Sequence, residues 1–476
     1  MVPRHVAIVG GGIAGLTTAL SVHEQAAQAG ISISCTLIEA DSRWGGKIAT
    51  HRVGELVIEA GPDSFLSQKP WALDLCAKLG LTDRLMNTND FQKRTFVFSR
   101  GRLRELPEGL VVIVPTKLGP FLKSGLLSWR GVARMAMDLM LPAKRSTGDE
   151  SLASFFRRRL GREAFERVIE PLMAGIYAGD ADEISLRATF PRFLEMERQY
   201  GSLIRGMLAG RKTARMTDRT MFVTLRGGLG EMVDALVSRL KEAGTTLLDA
   251  RQVIALRVRS GRLGTWTYDL VFEGGSALSA DAVVLATPAF VSAELLRPLS
   301  QTAAEMLGAI PYVSTATISL AYETGSLQGD VSGFGFVVPK AEGGDLLAAT
   351  WTSSKWPHRA PASQTLIRCY VGGKGRENLL QDDDETLVRR VREELHRITG
   401  ITGEPAYVEV NRWERAMPQY TLGHLERLEL IRSSLSRYQG LALTGAGYRG
   451  IGIPDCIRDG SETAAAVIRY LAEPRA

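Results

Sequence analysis

The stretch Val6-Ala7-Ile8-Val9-Gly10-Gly11-Gly12-Ile13-Ala14-Gly15-Leu16 constrains the fold more than any other. An apolar run stops at glycine, as a buried parallel strand does, and a helix-compatible segment follows over residues 13–27. Gly10, Gly12 and Gly15 fall at GxGxxG spacing. In that pattern the first glycine makes the tight turn, the second lets a pyrophosphate approach the backbone, and the third brings helix and strand together. The free N–H groups of the helix start then face the phosphates. In a chain with 49 glycines the motif alone would be weak evidence. Its context strengthens it. Residues 33–38 read as a second strand, and Glu39 stands at its end, where an acid accepts from a ribose diol and repels a 2′-phosphate.

The chain can bury a large core, and its length suggests two or three domains. A net charge of +6 favours anionic ligands or an acidic membrane surface. Nucleic acid is not expected, because no Lys/Arg block occurs and the aromatics are not interleaved with basic residues. Cys35, Cys76, Cys369 and Cys456 are scattered, and the six histidines lack ligand spacing, so neither a disulfide framework nor a metal is expected. Without a signal-like segment or a long apolar run, the chain reads as a cytoplasmic protein.

After Glu39 and Ala40 come Arg43, Gly45, Gly46 and Lys47, completing ExxxRxGG. Arginine can fork onto an oxyanion, and glycines let the chain pass close to a ligand. Residues 59–65 (EAGPDSF) combine turn formers with an aromatic and can run beneath a flat ring. Residues 129–141 repeat apolar positions at helical spacing, which fits a helix packed on its own domain or, less readily, one lying on a membrane. Residues 144–150 read as a polar loop, and 151–169 as a charged helix ended by Pro171. Gly175 and Ile176 lie in the small-residue stretch MAGIYAGD, which suits either a ligand or a tight helix crossing.

Residues 222–236 read as strand, Arg226-Gly227-Gly228, then helix; 281–288 (DAVVLATP) as another buried strand. Residues 311–322, 333–339, 346–351 and 366–371 alternate as strands of an antiparallel sheet. At the far end, LTGAGYRGIGIPDCIRDG (443–460) alternates glycines before a helix with proline in its first turn.

Together, ExxxRxGG, ExGP, the GG joint, the ATP strand end and GxGIPDCI resemble the flavin amine oxidase superfamily. Within it, they are most similar to protoporphyrinogen oxidases, and the GPDSF form to the Gram-positive type acting on coproporphyrinogen III. The resemblance implies an α/β fold. Its parts are a Rossmann-like, two-dinucleotide-binding FAD domain (1–62, 218–290 and 436–476), an antiparallel-sheet substrate domain (63–92, 191–217 and 291–435) and a helical insertion (93–190). It implies non-covalent FAD held by Gly10, Gly12, Ile13, Ala14, Gly15, Glu39, Ala40, Arg43, Gly45, Gly46, Lys47, Gly61, Pro62, Asp63, Ser64, Val253, Thr287, Trp413, Gly447, Gly452, Ile453 and Pro454, with Arg226, Gly227 and Gly228 as further candidates.

A porphyrinogen substrate would meet Gly175, Ile176, Phe334 and Val337, with Lys69 or Arg94 on its carboxylates. In related enzymes the arginine aligns with Thr95, so Arg94 would face the other way in a strand. Flavin N5 does the chemistry, dioxygen reoxidises it, and no protein group is assigned as catalytic. The resemblance also allows peripheral contact with the inner face of the membrane and a homodimer. The competing readings are an amine oxidase or carotenoid desaturase, protoporphyrinogen IX as substrate, and a cofactor-free binding protein on the same fold.

Overall fold

The computed structural model describes residues 3–473 apart from 90, 92, 108–109, 112–113, 116, 118, 145–147, 214–217, 261–265 and 330. The middle of the expected 144–150 loop lies outside the described residues. A five-stranded parallel sheet forms the centre of the nucleotide domain. Its order is Thr246–Leu248, Ile33–Ile38, Arg4–Val9, Ala282–Leu285, Leu441–Leu443. Only one strand therefore separates the first strand of the chain from the last.

Val6 and Ile8 point to one face of that sheet and Ala7 and Val9 to the other, so both faces must be covered. The helices Ile13–Gln28, Gly230–Glu242 and Ile453–Ala472 cover the first. An antiparallel meander (Val253–Ser260, Trp266–Phe272, Ala277–Ala280) and the helices Ala289–Leu296, Gln301–Gly308 and His424–Leu435 cover the second.

A seven-stranded sheet builds the second region. Its order is Tyr407–Pro418, Tyr312–Glu323, Gln364–Gly372, Leu346–Trp351, Gly335–Val337, Thr95–Ser99, Arg102–Glu105. It is mixed, not purely antiparallel, because Gly335–Val337 pairs in parallel with Thr95–Ser99. The helix Asp384–Thr399 packs Leu387, Val391, Leu395 and Ile398 against it.

Several domain cuts move: the helices Gln301–Gly308 and His424–Leu435 pack on the nucleotide sheet, although 291–435 was expected in the substrate domain. Strands within 95–105 belong to the seven-stranded sheet, although the segment was expected in the helical insertion. Helices Pro191–Tyr200 and Leu203–Thr213 bury Phe193, Met196, Leu203 and Met207 in the helical core. Phe65, Leu75, Cys76 and Leu85 join the core of the nucleotide domain instead of the substrate domain. Sequence order cannot reveal which apolar faces pair.

Two helices also differ from expectation. The run over 129–141 is a helix only from Trp129 to Ala136, then a tight turn Met137–Leu139, and Met140 projects into solvent. The run over 151–169 breaks at Gly161, whose φ is +90°. Helix then resumes and carries a π turn at Phe165–Ile169 into Glu170–Tyr177. Pro171 starts that last helix and does not end the one before, since a first-turn proline loses no helical hydrogen bond.

Candidate active site

The glycine turn has the shape its spacing predicts. Gly10 has φ +108°, and a side chain there would strike the Ala286 carbonyl at 2.7 Å. A side chain at Gly15 would lie 1.8 Å from the Gly10 carbonyl, so helix and strand touch there. Gly12 differs from both. Its backbone (φ −72°, ψ 176°) suits any residue, and a side chain would enter open space. Neither the backbone nor the surrounding described residues require glycine at this position. Ile13 and Ala14 start the helix behind it.

Glu39 closes over the turn, one carboxylate oxygen accepting from Gly11 N at 2.6 Å and the other from Asp41 N at 2.9 Å. Exposed Ala40 separates the two. The ExxxRxGG loop lies directly against the turn, with Gly45 N donating to Gly11 O at 2.8 Å. Arg43 donates to the carbonyls of Gly46 and Ile48 and stands 6.0 Å from the Trp413 ring. Lys47 is half-buried, and desolvation lowers its pKa; its ammonium lies 5.9 Å from the Tyr312 ring. No carboxylate among the described residues pairs with it. A desolvated ammonium is favoured by a nearby anion, and a dinucleotide phosphate or a reduced flavin can provide one.

Residues 60–64 continue the wall. A side chain at Gly61 would strike the Lys47 carbonyl at 1.8 Å, so the two loops are in contact. Pro62 is half-buried. Asp63 binds Lys355 at 3.0 Å and Ser64 at 2.6 Å, and Lys355 and Arg368 hold its carboxyl well below the usual carboxylate range. Trp413 donates to Ala60 O at 2.8 Å.

The far end of the chain closes the other side. Gly452 precedes the helix Ile453–Ala472, with Pro454 in its first turn, so its N–H groups form a positive end. A side chain at Gly460 would meet Ala14 O at 2.7 Å, which shows how closely the last helix approaches the first. Gly447 sits under Tyr312, whose hydroxyl accepts from Ala289 N at 2.9 Å. Thr287 bonds Ser292 at 2.8 Å, and Val253 is core at the start of the meander.

Gly227 and Gly228 serve close packing, for side chains there would strike Arg52, Glu231 and Thr50. Arg226 continues the same joint, its N–H bonded to Arg84 O at 2.8 Å.

Of the expected substrate residues, Gly175 and Ile176 lie on the helix Glu170–Tyr177, and Val337 lies on a strand that touches it. Gly175 opens onto space, Ile176 is 42% exposed, and half-buried Val337 packs with Ile451 on the helical core. Phe334 is half-buried at the entry to its strand, its N–H bonded to Arg94 O at 2.7 Å. A cavity of about 320 Å³ borders this helix end, lined by Asp180, Glu183, Tyr312, Lys374 and Gln419. Lys69 is paired with Asp455 at 2.5 Å, so a substrate carboxylate would have to compete for it. Arg94 bonds Ser332 and lies 5.6 Å from the Phe96 ring, while Val97, on the opposite face of that strand, enters the helical core. The register thus turns Arg94 away from the face of Thr95 and Val97.

Sequence reasoning missed Arg368 and Lys355, whereas Tyr420 lies in the segment 413–424 that the sequence places at the flavin region, with a structural role open to it. The Tyr420 hydroxyl donates to Ala446 O and accepts from Gly450 N, both at 2.7 Å, and so fixes the C-terminal loop. Arg368 had a signal: it is the one charge inside the strand sequence LIRCYV.

A family model of flavin-containing amine oxidoreductases matches residues 13–468. The fold and the cradle agree with it, and the chain belongs to this family of flavin-dependent oxidoreductases. Within the family, it is 39% identical to coproporphyrinogen III oxidase of Bacillus subtilis (strain 168), over 98% of both chains. It is 32% identical to the chloroplastic protoporphyrinogen oxidase of Oryza sativa subsp. japonica, over 98% of this chain and 88% of that one. A solved structure of a protein from Exiguobacterium sp. 255-15 superposes with a TM-score of 0.86 at 32% identity, covering 98% and 99% of the chains.

Proposed function

We propose that the chain holds FAD without a covalent bond and oxidises coproporphyrinogen III to coproporphyrin III, three dioxygen becoming three hydrogen peroxide. The observation that carries this is the likeness along nearly the whole chain to a coproporphyrinogen III oxidase, at 39% against 32% for the plant protoporphyrinogen oxidase. FAD supplies the hydride acceptor and passes the electrons to dioxygen.

The chain's own residues bind and orient. The free space at Gly12 admits the diphosphate, Glu39 meets the ribose, and Lys47 gains its anion. Gly175, Ile176, Phe334 and Val337 present an apolar wall to the macrocycle, whose pyrrole N–H groups can donate to backbone carbonyls on the Gly175 helix end. Lys69 exchanges Asp455 for a propionate. Since the pyrrole proton is lost as the macrocycle becomes aromatic, no strong protein base is required, and orientation supplies the catalysis.

The structure also supports a peripheral membrane contact on the cytoplasmic side. Leu122, Trp129, Met137 and Met140 project from the helical region at 54%, 69%, 48% and 87% exposure. Residues 93–217 hold 23 Lys and Arg against 13 Asp and Glu, and the remainder 35 against 39. An apolar edge on the basic part of the molecule suits an anionic surface. Among the described residues no helix is long and apolar enough to cross a membrane. Pelleting with anionic but not neutral vesicles, weakened by Trp129→Ser, is the expected outcome.

The substrate is tested by anaerobic mixing of the purified protein with coproporphyrinogen III and protoporphyrinogen IX in parallel. Faster flavin bleaching by coproporphyrinogen III is expected. Faster bleaching by protoporphyrinogen IX would reverse the assignment, and bleaching by neither would end it.

A further inference from the structure

Residues 60–64, which follow the strand Leu56–Glu59 and lead into Phe65–Leu66, are held by an unusual number of side-chain donors from the large sheet. The Ala60 carbonyl accepts from Trp413 Nε1 at 2.8 Å, Thr317 Oγ1 at 3.0 Å and Arg368 Nη2 at 3.0 Å. These three donors lie on three consecutive strands of the seven-stranded sheet. A carbonyl has two lone pairs, so three donors saturate it and fix its position. Arg368 Nη2 also donates to Gly61 O.

The charges around this segment do not balance. Two carboxylates, Glu59 and Asp63, face three cations. Arg359 binds Glu59 at 3.0 Å, and Lys355 binds Asp63 at 3.0 Å. Arg368, 4% exposed, has no carboxylate of its own among the described residues and spends its hydrogen bonds on carbonyls. Arg368 Nε and Arg359 Nη1 are buried with no hydrogen-bond partner. Arg368 only shares the Asp63 carboxylate with Lys355, so its buried charge is compensated in part and an anion from elsewhere would complete the compensation.

We infer that Arg368 is a positioning residue that fixes Ala60 and Gly61 beside the isoalloxazine and leaves one buried positive charge in excess, which stabilises the anionic reduced flavin. The inference rests on the proposed placement of residues 60–64 against the flavin. The excess charge should raise the reduction potential, because only the reduced ring carries the negative charge that it attracts. Arg368 would thus favour each hydride transfer without touching the substrate.

The test uses the full-length holoprotein, with midpoint potentials read from flavin absorbance during anaerobic reduction against a reference dye. Arg368→Met should move the equilibrium at least tenfold toward oxidised flavin, about 30 mV lower for two electrons. Arg368→Lys, which keeps the charge, should stay within threefold of the parent. Asp63→Asn removes a negative charge and should shift the potential upward.

An unchanged potential in fully loaded Arg368→Met would overturn the inference, as would a downward shift in Asp63→Asn. That second variant decides the matter by sign if Arg368→Met fails to fold. A parent protein that holds no FAD would instead sink the function proposed above.

Discussion

Two buried arginines show how this molecule separates support from function. Arg159, in the helical region, is 0% exposed and fully answered: Asp138 and Glu197 supply carboxylates, and Leu141, Pro142 and Gly201 supply carbonyls. Asp138 is answered in turn by Ser202 at 2.6 Å and Ile204 N at 3.0 Å. Arg368 is almost as deeply buried, yet it faces carbonyls and an anion that it shares with Lys355. The first cluster is complete within the protein, and the second leaves Arg368 Nε without a hydrogen-bond partner among the described residues. Gly15 and Gly12 repeat the contrast in sterics: protein fills the space at the first and leaves it open at the second.

Breaking the complete cluster should give the largest effect. Arg159→Met leaves Asp138 buried and unpaired, with an expected loss of about 3–5 kcal/mol in urea unfolding. A loss below about 1 kcal/mol would remove the contrast with Arg368.

Gly12→Val should come next and act on binding alone. It should weaken FAD retention at least 100-fold, about 2.7 kcal/mol, while the unfolding midpoint of the flavin-free protein stays that of the parent. Full flavin occupancy would show that the open space is not the diphosphate cradle.

His424 sharpens the comparison through pH. Its ring stacks on Tyr420 at 4.1 Å, Nε2 meets Tyr448 O at 3.0 Å, and burial pushes its pKa down to about 4. Half-buried His358 also falls to about 4, through desolvation and the nearby Arg359 and Arg226. The unfolded chain, with histidine near 6.5, binds the proton first, so stability is intact above about pH 6.5 and falls toward pH 4, by up to about 3 kcal/mol for His424 and by less for the partly solvated His358. Unfolding midpoints at pH 7.5 and 5 should show the drop, and His424→Phe should lessen it. An equal drop in that variant would assign the effect to other groups.

The smallest effect should come from the exposed Arg432–Glu429 pair, where Arg432→Ala should leave the unfolding midpoint unchanged.

Much of the nucleotide domain was legible because its rules are local. The apolar run before Gly10, the motif spacing and Glu39 each report a constraint acting within a few residues, and all three stand where the spacing put them. The parity argument at Arg94 worked for the same reason, since strand alternation is local. The helical region was read less well. Gly161, with φ +90°, splits a run that looked continuous, and the π turn before Pro171 has no periodic signature. Arg368 could be seen as a charge in an apolar strand, but its partners Ala60 and Gly61 lie 308 and 307 positions away.

The sequence by itself determined the dinucleotide turn, the acid at the second strand, the glycine-lined C-terminal loop and hence the flavin-dependent class. Each is a backbone conformation or a short-range spacing that few residue types satisfy. Tertiary structure alone decided that the chain's two ends lie one strand apart, that segments 63–87 and 191–213 join cores other than those expected, and that three strands converge on one carbonyl. These depend on which apolar faces and buried charges find each other across hundreds of residues, and that pairing is settled only when the whole chain packs.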